Sequence, residues 1–580
     1  MRRIVGLIGT GLFVATFLSM APAALALQVG DLTYTSNGIS ITITDCSTSA
    51  TNVVIPSIID GLPVTAIGNN AFYGCTSLAS VSISDGVTSI GDRAFRDCTS
   101  LSSVVIPDGI TSTGLAAFSG CISLTNVAIP NSVSSIGEST FSSCTSLTSI
   151  SIPDGVTSIG LYTFSRCTSL ASVEIGDGLS SIGYGTFSSC TSLTSIVFGD
   201  NITSIGNSVF RGCTSLASIA IPDSVTSIGE STFSSCTSLS SIVFGDSISS
   251  IGDFAFEYCA SLTNISIPDS VTSIGELAFD GCTSLYSVEI GNSITNIGNG
   301  AFSDCTSLTS FSMDGANPSF SSLDGVLFNK DQSILIRYPA GKTADRYTIP
   351  DGATSIGGSA FCGCTSLASV EIGDGLTSIG SSAFYGCDSL VSIGIPDSVS
   401  DIGYYAFSDC TSLARISIPD SVTNIVDCTF FGCTSLASIL IPASVTDIGY
   451  YVFSCCTNLA SVYFEGNAPS LSLGTFSGAD NTTVYYLPGS SGWGTTFGGR
   501  PALLWNPTID VGEGFGAGEN GFGFGISGTT NIPIMIEACT NLAEGVWIPL
   551  QTNTLSSGAL QFNDPGWTNH PSRIYRISGP

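Results

Sequence analysis

The chain reads Ile136-Gly-Glu-Ser-Thr-Phe141-Ser-Ser-Cys144-Thr-Ser-Leu147-Thr-Ser-Ile150-Ser-Ile152-Pro-Asp-Gly-Val156-Thr-Ser-Ile159 over one period of a pattern that returns every 23 residues. The period is marked by cysteines at constant spacing: Cys75, Cys98, Cys121, Cys144, Cys167, Cys190, Cys213, Cys236, Cys259, Cys282, Cys305 and, after one interruption, Cys364, Cys387, Cys410, Cys433 and Cys456. Because so short a unit can bury its apolar side chains only against its neighbours, the period predicts a repeat solenoid.

Each repeat is predicted to contain a short strand followed by a turn. Residues 147–152 follow the leucine-rich-repeat template L-x-x-L-x-L, and their branched side chains alternate with small polar ones. Pro153-Asp-Gly155 then supplies turn-forming residues. We expect an arc of short, parallel strands lining one concave face. A short helical or 3₁₀ turn at 161–165 should direct Phe164 inward, and ladders of Leu, Ile, Phe and Cys should fill the interior.

The repeat resembles that of BspA-like leucine-rich-repeat surface proteins, which reads approximately I-P-x-x-V-x-x-I-G-x-x-A-F-x-x-C-x-x-L. It stands here as Ile221-Pro-Asp-Ser-Val225-Thr-Ser-Ile228-Gly229-Glu-Ser-Thr-Phe233-Ser-Ser-Cys236-Thr-Ser-Leu239, and the likeness extends from about residue 50 to about residue 470. It implies a bacterial cell-surface or secreted protein, and an adhesive function, since several members are adhesins for host matrix proteins or other bacteria. The repeat motif itself transfers no binding residues.

The charge balance and the N-terminus indicate an exported protein that avoids polyanions. The chain carries 14 Lys and Arg against 44 Asp and Glu, and such an acidic chain repels nucleic acid and anionic lipid headgroups. Arg2 and Arg3, the apolar run 4–20 and the Ala24-Leu-Ala26 site are typical of a secretory signal peptide, with an uncleaved membrane anchor as the alternative. The mature chain is then expected to be secreted or at the cell surface, with no transmembrane span.

Composition shifts divide the remaining chain into segments. We predict a signal peptide at 1–26, a β-hairpin cap at 27–52, leucine-rich repeats at 53–470 with a hairpin insertion at 314–347, a C-terminal cap at 471–505, a Gly-rich flexible linker at 506–525 and a small β-sandwich-like domain at 526–580. The last segment is similar to short C-terminal modules of secreted bacterial proteins with a T-N-L…W…Y-R signature, here Thr540-Asn-Leu542, Trp547 and Tyr575-Arg576.

The 21 cysteines do not predict a disulfide framework, although the chain is expected to be exported. Neighbouring ladder positions lie about 4.8 Å apart with parallel side chains, whereas a disulfide needs closer, converging Cβ atoms. The ladder cysteines are therefore interpreted as small buried apolar residues, and their linear arrangement does not suit a metal. The role of the off-ladder residues Cys46, Cys362, Cys428, Cys455 and Cys539 stays open.

No catalytic or cofactor site is predicted. His570 is the only histidine, so the repeats contain no Ser-His-Asp or Cys-His arrangement, and no paired carboxylates suit glycoside hydrolysis. The turn acids share one register: Asp154, Asp177, Asp200, Asp223, Asp246 and Asp269. They are interpreted as Asx-turn caps, with weak Ca²⁺ binding as the alternative.

Two surfaces are predicted to bind a partner. The first is the strand face, with its small and acidic positions Ser149, Ser151, Ser172, Glu174, Ser218, Ser241, Ser266, Glu289 and Glu371. The second is the hairpin insertion, which carries Lys330, Arg337, Lys342 and Arg346 and is read either as a solvated loop or as a positive contact patch. Together they favour a non-enzymatic binding or adhesion protein for a protein or glycan surface. A passive structural component is the alternative, a hydrolase is a distant third, and oligomeric state is left open.

Overall fold

The computed structural model describes residues 27–512, 514–518, 521–541, 546–570 and 572–579. The predicted signal peptide at 1–26 lies outside the described residues. The chain forms two compact units, one ending at Leu170 and one beginning at Ala171.

The first unit opens with the cap and continues into the repeats. Its strands are β1 Leu27–Val29, β2 Leu32–Ser36, β3 Ile41–Cys46, β4 Asn52–Val54, β5 Ile58–Ile59, β6 Leu62–Ile67, β7 Ser80–Ser82, β8 Ser89–Ile90, β9 Ser103–Val105, β10 Ser112–Thr113, β11 Asn126–Ala128, β12 Ser135–Ile136, β13 Ser149–Ile152 and β14 Ser158–Ile159. Strands β2 and β3 form the expected antiparallel hairpin around Asn37-Gly38. They begin one sheet in the order β1-β2-β3-β6-β8-β10-β12-β14, with β5 on β6, and a second sheet runs β4-β7-β9-β11.

The second unit continues the repeats. Its first strands are β15 Ser172–Ile175, β16 Ser181–Ile182, β17 Ser195–Val197, β18 Ser204–Ile205, β19 Ser218–Ala220, β20 Ser227–Ile228, β21 Ser241–Val243, β22 Ser250–Ile251, β23 Asn264–Ser266, β24 Ser273–Ile274, β25 Ser287–Ile290, β26 Asn296–Ile297, β27 Ser310–Met313, β28 Phe320–Leu323, β29 Val326–Asn329, β30 Ile334–Arg337, β31 Arg346–Thr348, β32 Ser355–Ile356, β33 Ser369–Glu371, β34 Ser378–Ile379, β35 Ser392–Ile393, β36 Asp401–Ile402, β37 Arg415–Ile416, β38 Asn424–Ile425, β39 Ser438–Ile441, β40 Asp447–Ile448, β41 Ser461–Phe464 and β42 Ser470–Leu471.

The same unit ends in a cap and a small β domain. The strands here are β43 Thr483–Tyr486, β44 Thr496–Phe497, β45 Arg500–Leu504, β46 Thr508–Asp510, β47 Gly516–Gly518, β48 Gly521–Ser527, β49 Pro533–Cys539, β50 Ile548–Thr554, β51 Ala559–Asp564 and β52 Ile574–Ser578. A 3₁₀ helix at Trp567–Asn569 is the one helix among the described residues. The chain is therefore a β-solenoid with almost no helix, as its period predicts.

Two parallel walls enclose the interior of each coil. In each unit the outer side of the longer wall is called the strand face. It comprises β4, β7, β9, β11 and β13 in the first unit, and β15, β17, β19, β21, β23, β25, β27, β31, β33, β35, β37, β39, β41 and β43 in the second. Paired strands keep the repeat in register, so that Ile219 faces Ile242 while Ser218 faces Ser241. The Ile side chains point inward and the Ser side chains outward, because successive residues of a strand alternate between its faces.

The interior of each unit consists of ladders of equivalent side chains in successive coils. The rings of Phe256, Phe279 and Phe302 stack nearly parallel with centroids 5.1 and 5.2 Å apart. The sixteen ladder cysteines are buried free thiols. Most of their S–H groups donate to the carbonyl of the phenylalanine one coil earlier, as from Cys259 to Phe233 at 3.2 Å, whereas Cys75 donates to the Cys46 carbonyl and Cys364 to that of Tyr338. Each thiol thus satisfies a backbone carbonyl inside the core, which accounts for a small, weakly polar residue at this position.

The segment expected to form a helical turn is a series of hydrogen-bonded turns. Ser139 and Ser143 both have positive φ angles, and Gly120 occupies the place of Ser143 in the preceding coil. Two of the turn acids contact the following coil. Asp177 and Asp269 accept the backbone N–H of Asp200 and Asn292, one coil further on, at 2.9 and 2.8 Å. Each of these two carboxylates thus satisfies a backbone N–H of the following coil.

The insertion contains a coil with a shortened turn, because Tyr338 follows Leu335 by three positions whereas Phe361 follows the paired Ile356 by five. Strands β28, β29 and β30 are antiparallel, as the sequence predicts for β29 and β30, and β30 pairs in parallel with β32. Tyr338 takes the ladder place of phenylalanine, with its ring 5.3 Å from that of Phe361. Arg337 beside it is only 3% exposed and donates to the carbonyls of Ser359 and Cys362. The Arg337 side chain lies in the space beside this shortened turn.

The Gly-rich segment 506–525 was expected to be a flexible linker, but its described residues form β46, β47 and the start of β48. These strands pair with one another and with β51, while β50-β49-β52 form a second sheet. The small domain therefore begins near Thr508. Alternation of Phe522, Phe524 and Ile526 with glycine explains this, since it places the apolar side chains on one side of the strand.

Candidate functional site

The predicted strand-face residues lie outward and exposed, but the structure spreads them along the repeats. Ser149 and Ser151 belong to β13, Ser172 and Glu174 to β15, and the remaining residues, Ser218, Ser241, Ser266, Glu289 and Glu371, to β19, β21, β23, β25 and β33. Two of the acids contact a hydroxyl on the preceding strand. Ser266 donates to Glu289 at 2.9 Å and Thr348 donates to Glu371 at 2.8 Å.

The basic residues of the insertion do not form the patch considered from the sequence. Lys330 donates to the carbonyls of Gly315 and Asn317, Lys342 donates to that of Asp324, and Arg337 is buried. All three stabilise the insertion itself, because each cation satisfies backbone oxygens that the irregular coil leaves unpaired. Arg346 differs, since it is exposed on β31 at the edge of the strand face.

Arg346 belongs to a sheet of four strands, β31-β33-β35-β37. In this sheet Arg346 pairs with Ser369, Ser369 with Ser392, and Ser392 with Arg415. The two arginines therefore occupy one outward column, with two serines between them. Both guanidinium groups are exposed and have no hydrogen-bond or ion-pair partner among the described residues.

The strand face changes character beyond Arg415. Its second outward column carries Ser417, Leu440, Tyr463 and Tyr485 in successive paired strands. Leu440 is 48% exposed, whereas Tyr463 is 8% exposed because the small β domain covers it. Tyr463 and Tyr485 share a core with residues of that domain, among them Phe524 and Ile536. The Trp505 indole donates to the Pro533 carbonyl at 2.9 Å, which ties the domain to the last coil.

A cleft of about 610 Å³ lies where the strand face meets the small domain. The repeats and cap contribute Arg415, Ser438, Leu440, Glu465, Tyr485, Tyr486 and Trp505, and the domain contributes Met535, Glu537, Arg576, Ile577 and Ser578. The walls are mixed, with apolar and aromatic surface beside a few hydroxyl and charged groups. Such a composition is typical of a ligand site.

Charge pairing fixes one wall of the cleft. Arg576 donates to Glu537 at 2.7 Å and lies 4.3 Å from the centre of the Trp547 ring. Burial opposes ionisation of Glu537, but hydrogen bonds from Arg576 and Ser578 and the Arg576 charge lower its pKa. Burial raises the pKa of Glu465, and the Asp420 carboxylate adds to the rise. Arg415 thus remains as the one lining cation without a described partner.

The cleft was not predicted from the sequence, although one signal pointed to it. The second outward position of the strand template is small in most repeats and becomes Leu440, Tyr463 and Tyr485 near the end. Large apolar residues at positions that should face solvent indicate a covering partner. In the described ranges no group of three or more His, Cys, Asp or Glu side chains is placed to hold a metal ion.

Within the described residues, no helix is long and apolar enough to cross a membrane. The protein-family model for the BspA type leucine rich repeat region matches overlapping stretches of the chain: residues 65–190, 135–259, 203–335, 341–460 and 410–491. No curated protein matches.

Several solved structures are similar. A leucine-rich repeat protein from Bacteroides ovatus is 28% identical over 79% of this chain and 99% of its own, with a TM-score of 0.43. A leucine rich cell surface protein from Faecalibacterium prausnitzii is 27% identical over 76% of this chain and 95% of its own, with a TM-score of 0.40. The leucine rich repeat protein of T. pallidum is 36% identical over 33% of this chain and 91% of its own, with a TM-score of 0.31. With the repeat model covering most of its length, the chain belongs to the BspA-type leucine-rich repeat family.

Proposed function

We propose that this chain is an exported, non-enzymatic binding protein that attaches to a protein or glycan surface through the C-terminal end of its strand face. One observation carries the proposal: the strand face leads into a cleft of about 610 Å³ with mixed apolar and charged walls. A purely structural repeat array has no need of such a cleft. The apolar run and cleavage site at the N-terminus support export.

The proposal is tested by incubating the protein without its first 26 residues on an array of glycans and matrix proteins. Leu440→Asp places a charge on the cleft wall at an exposed position, so the fold should persist while binding falls. Val243→Asp is the matched control, because Val243 is an exposed residue of the same outward column far along the chain from the cleft. Binding that survives Leu440→Asp would remove the cleft from the proposal, and an array without any ligand would favour a passive structural role.

A further inference from the structure

Seven of the twelve described basic residues of this acidic chain contact its own carboxylates or carbonyls. Among the described residues, Arg96, Arg500, Arg573 and Arg576 pair with carboxylates, and Lys330, Arg337 and Lys342 donate to carbonyls. Five arginine side chains have no hydrogen-bond or ion-pair partner there: Arg93, Arg166, Arg211, Arg346 and Arg415. The first three lie in turn segments, whereas Arg346 and Arg415 lie on the strand face.

The distance between Arg346 and Arg415 follows from the number of strands that separate them. Three strand spacings of about 4.8 Å separate β31 from β37, so the columns at Arg346 and Arg415 are about 14 Å apart. Between them lie the hydroxyls of Ser369 and Ser392. Alongside lies Gly394, where an added Cβ would meet nothing within 4 Å. The surface between the arginines is therefore open and polar. The neighbouring outward column carries one carboxylate, Glu371, which accepts a hydrogen bond from Thr348 at 2.8 Å.

Resting on the proposed function, we infer that the partner presents an extended acidic peptide segment that crosses these four strands. An extended chain rises about 3.4 Å per residue with alternating side chains, so residues i and i+4 point to one side about 14 Å apart. Carboxylates at i and i+4 meet Arg346 and Arg415, and each guanidinium can bind a carboxylate through two parallel hydrogen bonds. The serine hydroxyls beneath the segment bind its backbone.

The cleft beyond Arg415 favours a peptide over an acidic polysaccharide. The next strand of the face carries Leu440, which is 48% exposed, and the walls behind it include Met535 and Ile577. A peptide that continues past its second carboxylate places a side chain near i+6 in this cleft, and an apolar one buries against these walls. A carboxylated polysaccharide offers no comparable apolar group.

The test uses two short labelled peptides of equal composition and the protein without its first 26 residues. The first peptide has Glu at i and i+4 and Leu at i+6, and the second has its Glu residues adjacent. Fluorescence anisotropy at low salt should give roughly tenfold tighter binding of the first peptide. The double variant Arg346→Ser, Arg415→Ser should abolish the difference. The variant Arg93→Ser, Arg211→Ser, with the same net charge, should preserve it.

Several other outcomes would contradict the inference of an acidic peptide partner. Equal binding of both peptides, or a preference that survives loss of Arg346 and Arg415, overturns the inference. Binding of polygalacturonate but of neither peptide also overturns it, while the proposed binding function stands. If a partner found on the array binds the Arg346→Ser, Arg415→Ser variant with unchanged affinity, the inference is also overturned and the proposed binding function stands. If neither the array nor the peptides bind, the proposed function fails as well.

Discussion

The strand face carries small or medium-sized residues on β19, β21 and β23 and larger ones on β39, β41 and β43, although the same types of side chain fill the interior behind both regions. The outward second column reads Ala220, Val243 and Ser266 in the first region. It reads Leu440, Tyr463 and Tyr485 in the second. The ladder residues behind them, Phe, Cys and Leu, are fully buried in both regions.

This difference shows that inward and outward positions of the repeat are subject to different requirements. Inward positions are determined by stacking, since each contacts its equivalent one coil away. Outward positions do not contribute to that core, so they can change to suit whatever covers the face. In the second region the small domain covers them, and the cleft lies at the border of the covered surface.

The largest effect is expected when a charge is placed at an inward position. Cys144→Asp should destabilise the protein by about 4 kcal/mol or more, or prevent folding, because it buries an unpaired carboxylate in the ladder. Ser149→Asp in the same coil is outward and should change the free energy of unfolding by less than about 0.5 kcal/mol. Chemical denaturation measures both variants. Equal effects would mean that the inward and outward positions are not distinguished by stacking.

A smaller effect is expected where the small domain meets the repeats. Tyr463→Ser installs the residue found at Ser417 in the same column and removes a ring that stacks on Tyr485 at 5.1 Å. It should cost about 2 to 4 kcal/mol at this contact and expose the domain to limited proteolysis. Val243→Ser, an exposed position, should leave the proteolysis pattern unchanged. An intact pattern in Tyr463→Ser would show that other contacts hold the domain.

The sequence allowed the coil and its ladders to be predicted because the period is itself the contact pattern. Phe, Cys and Leu repeat in register, so each is expected to meet its own kind one coil away. A contact that occurs only once in the chain produces no repeating pattern, so it cannot be predicted in this way. Arg337 has the sequence context of a surface cation, and only the shortened turn that the structure reveals explains its burial.

The end of the chain illustrates a second limit. High glycine content suggested a linker, while the alternation of Phe522, Phe524 and Ile526 indicated a strand. The segment forms a strand and not a linker, because pairing with β51 satisfies its backbone hydrogen bonds and places its apolar side chains in a core. Likewise, the Trp505 contact with Pro533 joins residues that no repeat relates. The cleft depends on that contact, so the large outward residues Leu440, Tyr463 and Tyr485 indicate a covered surface without showing what covers it.

A further comparison concerns one position of the turn segment in two neighbouring coils. Asp280 is 8% exposed, while serine stands at this place as Ser303 in the next coil. Burial raises the pKa of Asp280 to about 7, and the Asp304 and Glu257 carboxylates add to the rise while Arg337 opposes it. The folded state then binds the proton more tightly than the unfolded state, so stability should fall as pH rises from about 4 to about 7.

Asp280→Asn removes this titration. The variant should be more stable than the parent above pH 7 by about 1 to 2 kcal/mol, and its unfolding free energy should vary less with pH. Thermal denaturation across a pH series measures both quantities. Glu276→Gln, at an exposed position in the same coil, is the control and should retain the parent's pH dependence. A parent whose stability rises over this range would contradict the sign.

The smallest structural effect, and the sharpest contrast, is expected between two adjacent thiols. Of the 21 cysteines, all within the described residues, Cys455 alone is exposed, while Cys456 belongs to the ladder. Burial raises the pKa of Cys456 to about 12, so almost none of it is thiolate at neutral pH. A thiol reagent added to the native protein should therefore label a single cysteine rapidly. Cys455→Ser should abolish that fast phase without changing the free energy of unfolding, and denaturant should release the remaining thiols together. Fast labelling of several thiols in the native Cys455→Ser protein would mean that the ladder opens to solvent, and the division between inward and outward positions would fail at its most regular column.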